Sequence, residues 1–331
     1  MTIAGRGLPG LGGFGTVVVS ERRILHLNWL SGIGCNRPDI LKAGLIHLSQ
    51  LPVILKVEPD LGDSTQGAKG RFPFPAKPDN GRGVEERRNI RLVLAYDGTG
   101  YHGWQRQKRE PTIQALVEEA LDMMTGERVT VIASGRTDAG VHALCQVCHF
   151  TTGSGIDTEG IRRGLNSLLP GDIRIQRAET VPIDFHSRYD ARSKVYEYRI
   201  WNHREPDVFL RRYAWHVPVE LGIEAMGRCL NLLTGRHDFS SFRSTGSGNI
   251  NPIREILRAE IHPPRDGLLV FEFEADGFLR HMVRNMVGTL VDVGKGKTGV
   301  EEFRDVLRAG DRRLAGIKAP PQGLFLKRVR Y

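Results

Sequence analysis

The stretch SGRTDAGVHA, residues 134–143, holds a single carboxylate, Asp138, two residues after Arg136 and two before Gly140. An aspartate beside an arginine is equipped for nucleophilic work, because a neighbouring cation favours its ionised form. Arg136 would equally suit a phosphate. The same local sequence also makes an ordinary turn, in which Asp-Ala-Gly between strands folds back with the carboxylate bonded to its own backbone. Local sequence leaves both readings open, while Tyr196 and Arg284 supply further groups of suitable type elsewhere in the chain.

Other candidates carry less chemistry. Cys145, Cys148 and His149, in C-Q-V-C-H, have the spacing of a c-type haem attachment or a redox-active thiol pair. On a strand, however, the two thiols would point to opposite faces. VGKGKTG, residues 293–299, contains the GKT of a phosphate loop, but Val291 stands where the required earlier glycine should be. The stretch reads instead as the end of a helix, with Gly294 and basic residues at the negative end of the dipole. The eleven histidines form no H-E-x-x-H or paired Cys/His pattern, and the H-x-E with P-C-x-x-C of a zinc deaminase is absent. His142, His149, His186 and His281 therefore read as polar or packed residues, and no metal or cofactor is expected.

An excess of Lys and Arg over Asp and Glu leaves a net charge of +9, which favours a polyanionic partner. Cys35, Cys145, Cys148 and Cys229 are too few and too scattered for a disulfide framework, which fits a reducing, cytoplasmic compartment. No run approaches the roughly 18 apolar residues of a membrane span. Residues 16–31, TVVVSERRILHLNWLS, are broken by Glu21, Arg22 and Arg23 and do not form a signal-peptide core.

The elements that must position Asp138 begin with IRLVLAYD (90–97), a β-rich run ending in the turn pair Asp97-Gly98. Thr112 is placed to cap a helix whose apolar positions, from Ile113 through Val117 and Leu121 to Met124, recur at helical spacing before Gly126. VTVIAS (129–134) and QVCHFTT (146–152) read as strands on either side of Asp138. A helix in IDTEGIRRGLNSLL is stopped by Pro170-Gly171, and IRIQRAETV returns as a strand. The later half repeats the mixture, with SKVYEYRIWN, REILRAEIH and LLVFEFEAD as strands and LGIEAMGRCLNLLTG, FLRHMVRNMVGTLVDVG and VEEFRDVLRAG as helices. This order predicts an α+β fold of two comparable halves, residues 88–190 and 191–331, without a short repeat. Residues 1–87, with the Gly- and Pro-rich stretches GRGLPGLGGFG and DSTQGAKGRFPFPAKPDNGRG, read as a low-complexity extension, largely disordered and without visible chemistry.

SGRTDAGVHA resembles the active-site motif of the tRNA pseudouridine synthase A family. Further blocks look like signatures of that family and stand in family order: YDGTGYHGWQRQ (96–107), NSLLPGDI (166–173), DFHSRYDARSKVYEYRIWN (184–202), HDFSSFR (237–243), FLRHMVRNMVG (278–288) and APPQGLFL (319–326). The resemblance spans roughly residues 88 to 331, and residues 1–87 have no counterpart in the family core. It implies two α/β halves joined in one continuous, mostly antiparallel sheet with helices packed on it and the active cleft between them. It also implies a homodimer that binds tRNA across both subunits and isomerises uridine at positions 38, 39 and 40 of the anticodon stem-loop without a cofactor. Asp138 would be the nucleophile, Tyr196 the aromatic packed on the target base, and Arg136 the residue filling the space that base leaves. Arg284 would face the aspartate, with Arg280 in the same neighbourhood.

The residue types suit that reaction. The bond from N1 to C1′ breaks, the base turns, and C5 joins C1′, with no group donor or redox change. A carboxylate can attack either C1′ or C6, and the Tyr196 hydroxyl could help remove the C5 proton or the ring could only stack. A non-catalytic RNA-binding protein on the same scaffold is the rival reading. It predicts loss of the aspartate or the tyrosine, and both are present.

Overall fold

The computed structural model describes residues 87–244 and 251–331, together with three short strands near the N-terminus. The chain falls into two units, Met1–Lys77 and Pro78–Tyr331. In the first, β1 (Thr2–Ile3), β2 (Val17–Val19) and β3 (Leu25–Leu27) pair antiparallel in that order. The expected disorder of residues 1–87 otherwise lies outside the described residues.

The second unit opens with β4 (Arg88–Tyr96), whose alternating Ile90, Leu92 and Leu94 are fully buried. α1 (Ile113–Thr125) turns Ile113, Val117, Ala120 and Leu121 into the same apolar core. Each large side chain buried this way contributes roughly 1.5–3 kcal/mol. Thr112 occupies the N-cap position but makes no capping hydrogen bond. The first helical amides are satisfied by backbone instead, Ile113 N–H donating to Gly103 O at 3.2 Å and Gln114 N–H to Trp104 O at 3.0 Å. Gly126 ends the helix in the left-handed conformation at φ 69°, as the sequence predicts.

There follow β5 (Ile132–Ala133), β6 (His142–Thr152), α2 (Thr158–Leu168) and β7 (Ile173–Val181), then β8 (Ser193–Trp201), β9 (Trp215–His216), α3 (Ile223–Leu233) and β10 (Gly235–Asp238). β11 (Ile253–Arg265), β12 (Leu268–Ala275), α4 (Met282–Gly294), α5 (Val300–Ala309) and β13 (Leu324–Arg330) complete the unit. Eight strands run in the order β10-β11-β12-β8-β13-β6-β4-β7, with β5 attached to β6 and β9 to β8. Only β13–β6 and β8–β9 are parallel among the described pairs of this sheet. The fold is therefore α+β with one continuous, mostly antiparallel sheet. β13 sits at its centre, antiparallel to β8 and parallel to β6.

Two departures from the sequence reading shape the site. The strand foreseen over 129–134 is cut to β5, which pairs with β6 only at His149 and Cys148 and frees Ser134 onward as a loop. The helix foreseen from Phe278 starts instead at Met282, because His281 takes a left-handed φ of 63°. Such a φ is rare outside glycine and breaks the helical run.

Candidate active site

Asp138 lies in the loop between β5 and β6, and that loop is held at nearly every residue. Ser134 N–H donates to Val147 O at 2.8 Å, Ser134 Oγ to Gln146 Oε1 at 2.8 Å, and Gln146 Nε2 to Gly135 O at 2.9 Å. Thr137 Oγ1 shares a proton with the Tyr96 hydroxyl at 2.8 Å, and Thr137 O accepts from Trp104 N–H at 3.1 Å. Gly103 allows this approach: a Cβ there would stand 2.4 Å from Thr137 O, and its φ is +83°. The turn itself is closed by Val141 N–H donating to Asp138 O at 3.1 Å. The backbone closes the turn, and the carboxylate is turned to other partners.

Those partners come from the start of α4 and the residue that precedes it. Asp138 Oδ2 accepts from Arg284 Nη1 at 3.2 Å and lies 3.5 Å from His281 Nε2. Arg284 is buried in the first turn of α4, and its Nε donates to Ala319 O at 2.8 Å. Ala319 N–H returns a bond to Arg284 O at 3.0 Å. The segment before Ala319 can press on α4 because residue 288 is glycine, where a Cβ would lie 1.7 Å from Ile317 O. Burial pulls the His281 imidazole below its ordinary range; Asp138 opposes this, and Lys318, Arg284 and Arg280 add to it. Its buried Nδ1 has no partner, so the neutral ring's proton belongs on Nε2, facing the carboxylate. One buried arginine thus bonds Asp138, and the His281 imidazole stands beside the same oxygen.

Tyr196 enters from β8, in register with Phe273 of β12 and Leu326 of β13. It is 8% exposed and stands edge-on to Phe278, with ring centroids 5.0 Å apart and an interplanar angle of 82°. Burial pushes its phenol far up, with Tyr96 and Asp138 adding to the effect, so the hydroxyl keeps its proton. Asp138, Tyr196, Arg136, Arg284 and Arg280 all line one cleft of about 1130 Å³. Arg136 and Arg280 are exposed in it.

Sequence reasoning passed over several residues that the fold brings here. His281 reads as an ordinary polar residue, although it stands three positions before Arg284. Lys194 lies two residues before Tyr196 on β8 and so on the same face of the strand. Burial, with Arg188 and Arg254 nearby, pushes its ammonium down to about 8, against a smaller opposite pull from Asp276. Arg188, Arg254, Lys318 and Phe278 complete this wall. The thiols of Cys145 and Cys148 occupy positions of opposite parity on β6, and burial pushes both up, away from the reactive thiolate. Among the described residues, no group of His, Cys, Asp and Glu is arranged to hold a metal, and no helix is long and apolar enough to cross a membrane.

This geometry places one held carboxylate and one buried aromatic in a cation-lined cleft, equipment suited to chemistry on a polyanion. Residues 92–190 and 230–331 match the family model described as tRNA pseudouridine synthase. The tRNA pseudouridine synthase A of Acetivibrio thermocellus is 44% identical over 244 residues, covering 74% of this chain and 100% of that protein. The protein of the same name from a Thermoanaerobacter species is 45% identical over 244 residues, with the same shares, and that from Moorella thermoacetica is 46% identical, covering 73% and 99%. The chain belongs to the tRNA pseudouridine synthase family, and it is an isomerase.

Proposed function

We propose that this chain converts uridine to pseudouridine at positions 38, 39 and 40 of the tRNA anticodon stem-loop, with Asp138 as nucleophile. The reading is carried by the state of Asp138. Its Oδ2 accepts from Arg284 with His281 Nε2 3.5 Å away, and its Oδ1 has no hydrogen-bond partner among the described residues. A carboxylate held by Arg284 on one oxygen presents the other to the cleft, as a nucleophile must.

The target base must leave its stack to reach this depth, and Arg136, exposed at the cleft, fills the gap it leaves. Tyr196 then packs on the flipped base. Oδ1 attacks C1′ or C6, the bond from N1 to C1′ breaks, the base turns, and C5 joins C1′. C5 releases a proton and N1 gains one, so the product has the atoms of the substrate. A phenol pushed upward by burial is a poor base, which supports stacking as the task of Tyr196. Cations along the cleft contact phosphates and leave base identity unread, which suits an enzyme acting on neighbouring uridines in many tRNAs. The working form is a cytoplasmic homodimer, for which sedimentation should report twice the chain mass.

Asp138→Asn tests the reading. Single-turnover release of tritium from tRNA carrying 5-tritiated uridine should fall at least about a thousandfold, while tRNA affinity stays within about threefold. Substantial release by the variant would remove Asp138 from the nucleophile's role.

A further inference from the structure

Beside the cleft lies a second cavity of about 300 Å³, and Gln105 and Arg188 line both. Trp104, Gln114, His186 and Tyr189 contribute to its walls. Tyr189 is 78% exposed, yet its ring lies over that of His186 with centroids 4.2 Å apart and planes inclined by 25°. The stack is fixed in place. His186 Nδ1 accepts from the backbone N–H groups of Arg188 and Tyr189, both at 3.2 Å, and His186 N–H donates to Asp190 Oδ2 at 2.8 Å.

The turn that carries the stack is anchored by Ser187, which is fully buried. Its Oγ donates to Ile132 O at 2.6 Å and its N–H to His149 Nδ1 at 3.1 Å. The Tyr331 hydroxyl donates to Ser187 O at 2.7 Å. A lone exposed aromatic on a surface is ordinary. A pre-ordered aromatic stack beside an arginine, opening on a cavity next to an RNA-modifying cleft, offers an unstacked nucleobase the flat partner it has lost.

We propose that the Tyr189–His186 stack and Arg188 form a second nucleotide subsite, which receives an unpaired base adjacent to the target uridine. Tyr189 stacks on that base. Arg188, lining both cavities, contacts the phosphate that joins the two nucleotides. The cavity lies at the lower end of the roughly 300–1,000 Å³ range of small-ligand sites, so it takes one nucleotide and not a stem. Flipping the target deprives its neighbour of a stacking partner, and the subsite returns part of that energy within the complex. The proposal rests on the tRNA-modifying function above.

The test uses the full chain carrying Asp138→Asn, so that RNA binds without turnover. The probe is an anticodon stem-loop with 2-aminopurine placed in turn on each side of the target uridine. Binding should quench the fluorophore on one side. Adding Tyr189→Ala should abolish that quench and weaken binding about tenfold, while Tyr189→Phe should keep both. An unchanged quench and affinity in Tyr189→Ala would overturn the subsite. So would a lowered sedimentation coefficient with the quench intact, which would assign Tyr189 to contact with a second copy of the chain. Tritium release by the wild-type chain, measured in parallel, separates the two levels. An active wild type with a silent Tyr189→Ala sinks the subsite alone, whereas an inactive wild type sinks the function on which it rests.

Discussion

β8 has two charged surfaces built on opposite principles. Tyr196 and Lys194 point into the cleft, whereas Glu197 points to the other face of the sheet, beside Glu272 and Glu274 of β12. On that other face charges are matched. Glu197 pairs with Arg199 at 2.7 Å and Lys327 at 3.0 Å, Glu272 with Arg258 and Lys327, and Glu274 with Arg330 at 3.0 Å and Ser193 Oγ at 2.7 Å. In the cleft, Arg136, Arg188, Lys194, Arg254, Arg284 and Lys318 share Asp138 as the only carboxylate among the described lining residues. Net charge alone does not distinguish the surfaces. Matched charge holds strands together, and an excess of one sign leaves a field for an anionic partner.

The contrast predicts that equally buried charges on the two surfaces fail differently. Arg284→Met should reduce single-turnover isomerisation by about a hundredfold to a thousandfold, the usual cost of removing an electrostatic contact at a reacting centre. An active Arg284→Met would show that Asp138 needs no cation. Glu272→Ala should leave that rate within about twofold while lowering unfolding free energy by about 1–3 kcal/mol in urea melts, since Lys327 and Arg258 lose a buried acceptor. Burial alone would raise the Glu272 carboxyl, but Lys327 and Arg258 hold it below its ordinary range. Its stabilising contribution is therefore present above the unfolded carboxyl's pKa and lost as pH falls through the lower folded value. Equal acid unfolding of wild type and Glu272→Gln would contradict the matched-face account.

Smaller effects belong to the cleft wall. The Lys194 ammonium is pushed down to about 8, so its charge is present at neutral pH and lost as the solution is made alkaline. Affinity for tRNA should fall about threefold to tenfold between roughly pH 7 and pH 9, and Lys194→Arg should flatten that dependence. A pH-independent wild-type Kd would exclude Lys194 as a phosphate contact. The smallest change is expected from removing the N-terminal residues. A chain beginning at Val84 should keep its kcat/KM on tRNA within about tenfold, or roughly 1.4 kcal/mol. A larger loss or an insoluble product would give residues 1–83 a role.

The helices were legible where apolar spacing and glycine stops agree, as in α1 between Ile113 and Gly126. Local signals misled where distant backbone took over a local task. Thr112 looks like a cap, but carbonyls of Gly103 and Trp104 already receive the first amides. β13 has no counterpart in the sequence reading, which ends its elements at VEEFRDVLRAG, and Lys327, Arg328 and Arg330 interrupt its apolar pattern. Their strand is central, and Lys327 and Arg330 find carboxylates across the sheet. The GRTDAGVH motif singles out Asp138 as a candidate, whereas the contact of His281 depends on a left-handed residue that no spacing rule marks.

The position of β13 bears on the order of synthesis. It follows every other strand in the chain, yet it fills the seam between β8 and β6. A nascent chain that has not yet released residues 324–330 therefore holds two part-sheets whose facing edges lack their intervening partner. Such edges are templates for unwanted pairing and need protection until the last strand arrives. Asp138 and Tyr196 stand on opposite sides of this seam, so the cleft is assembled in the same step that closes the sheet.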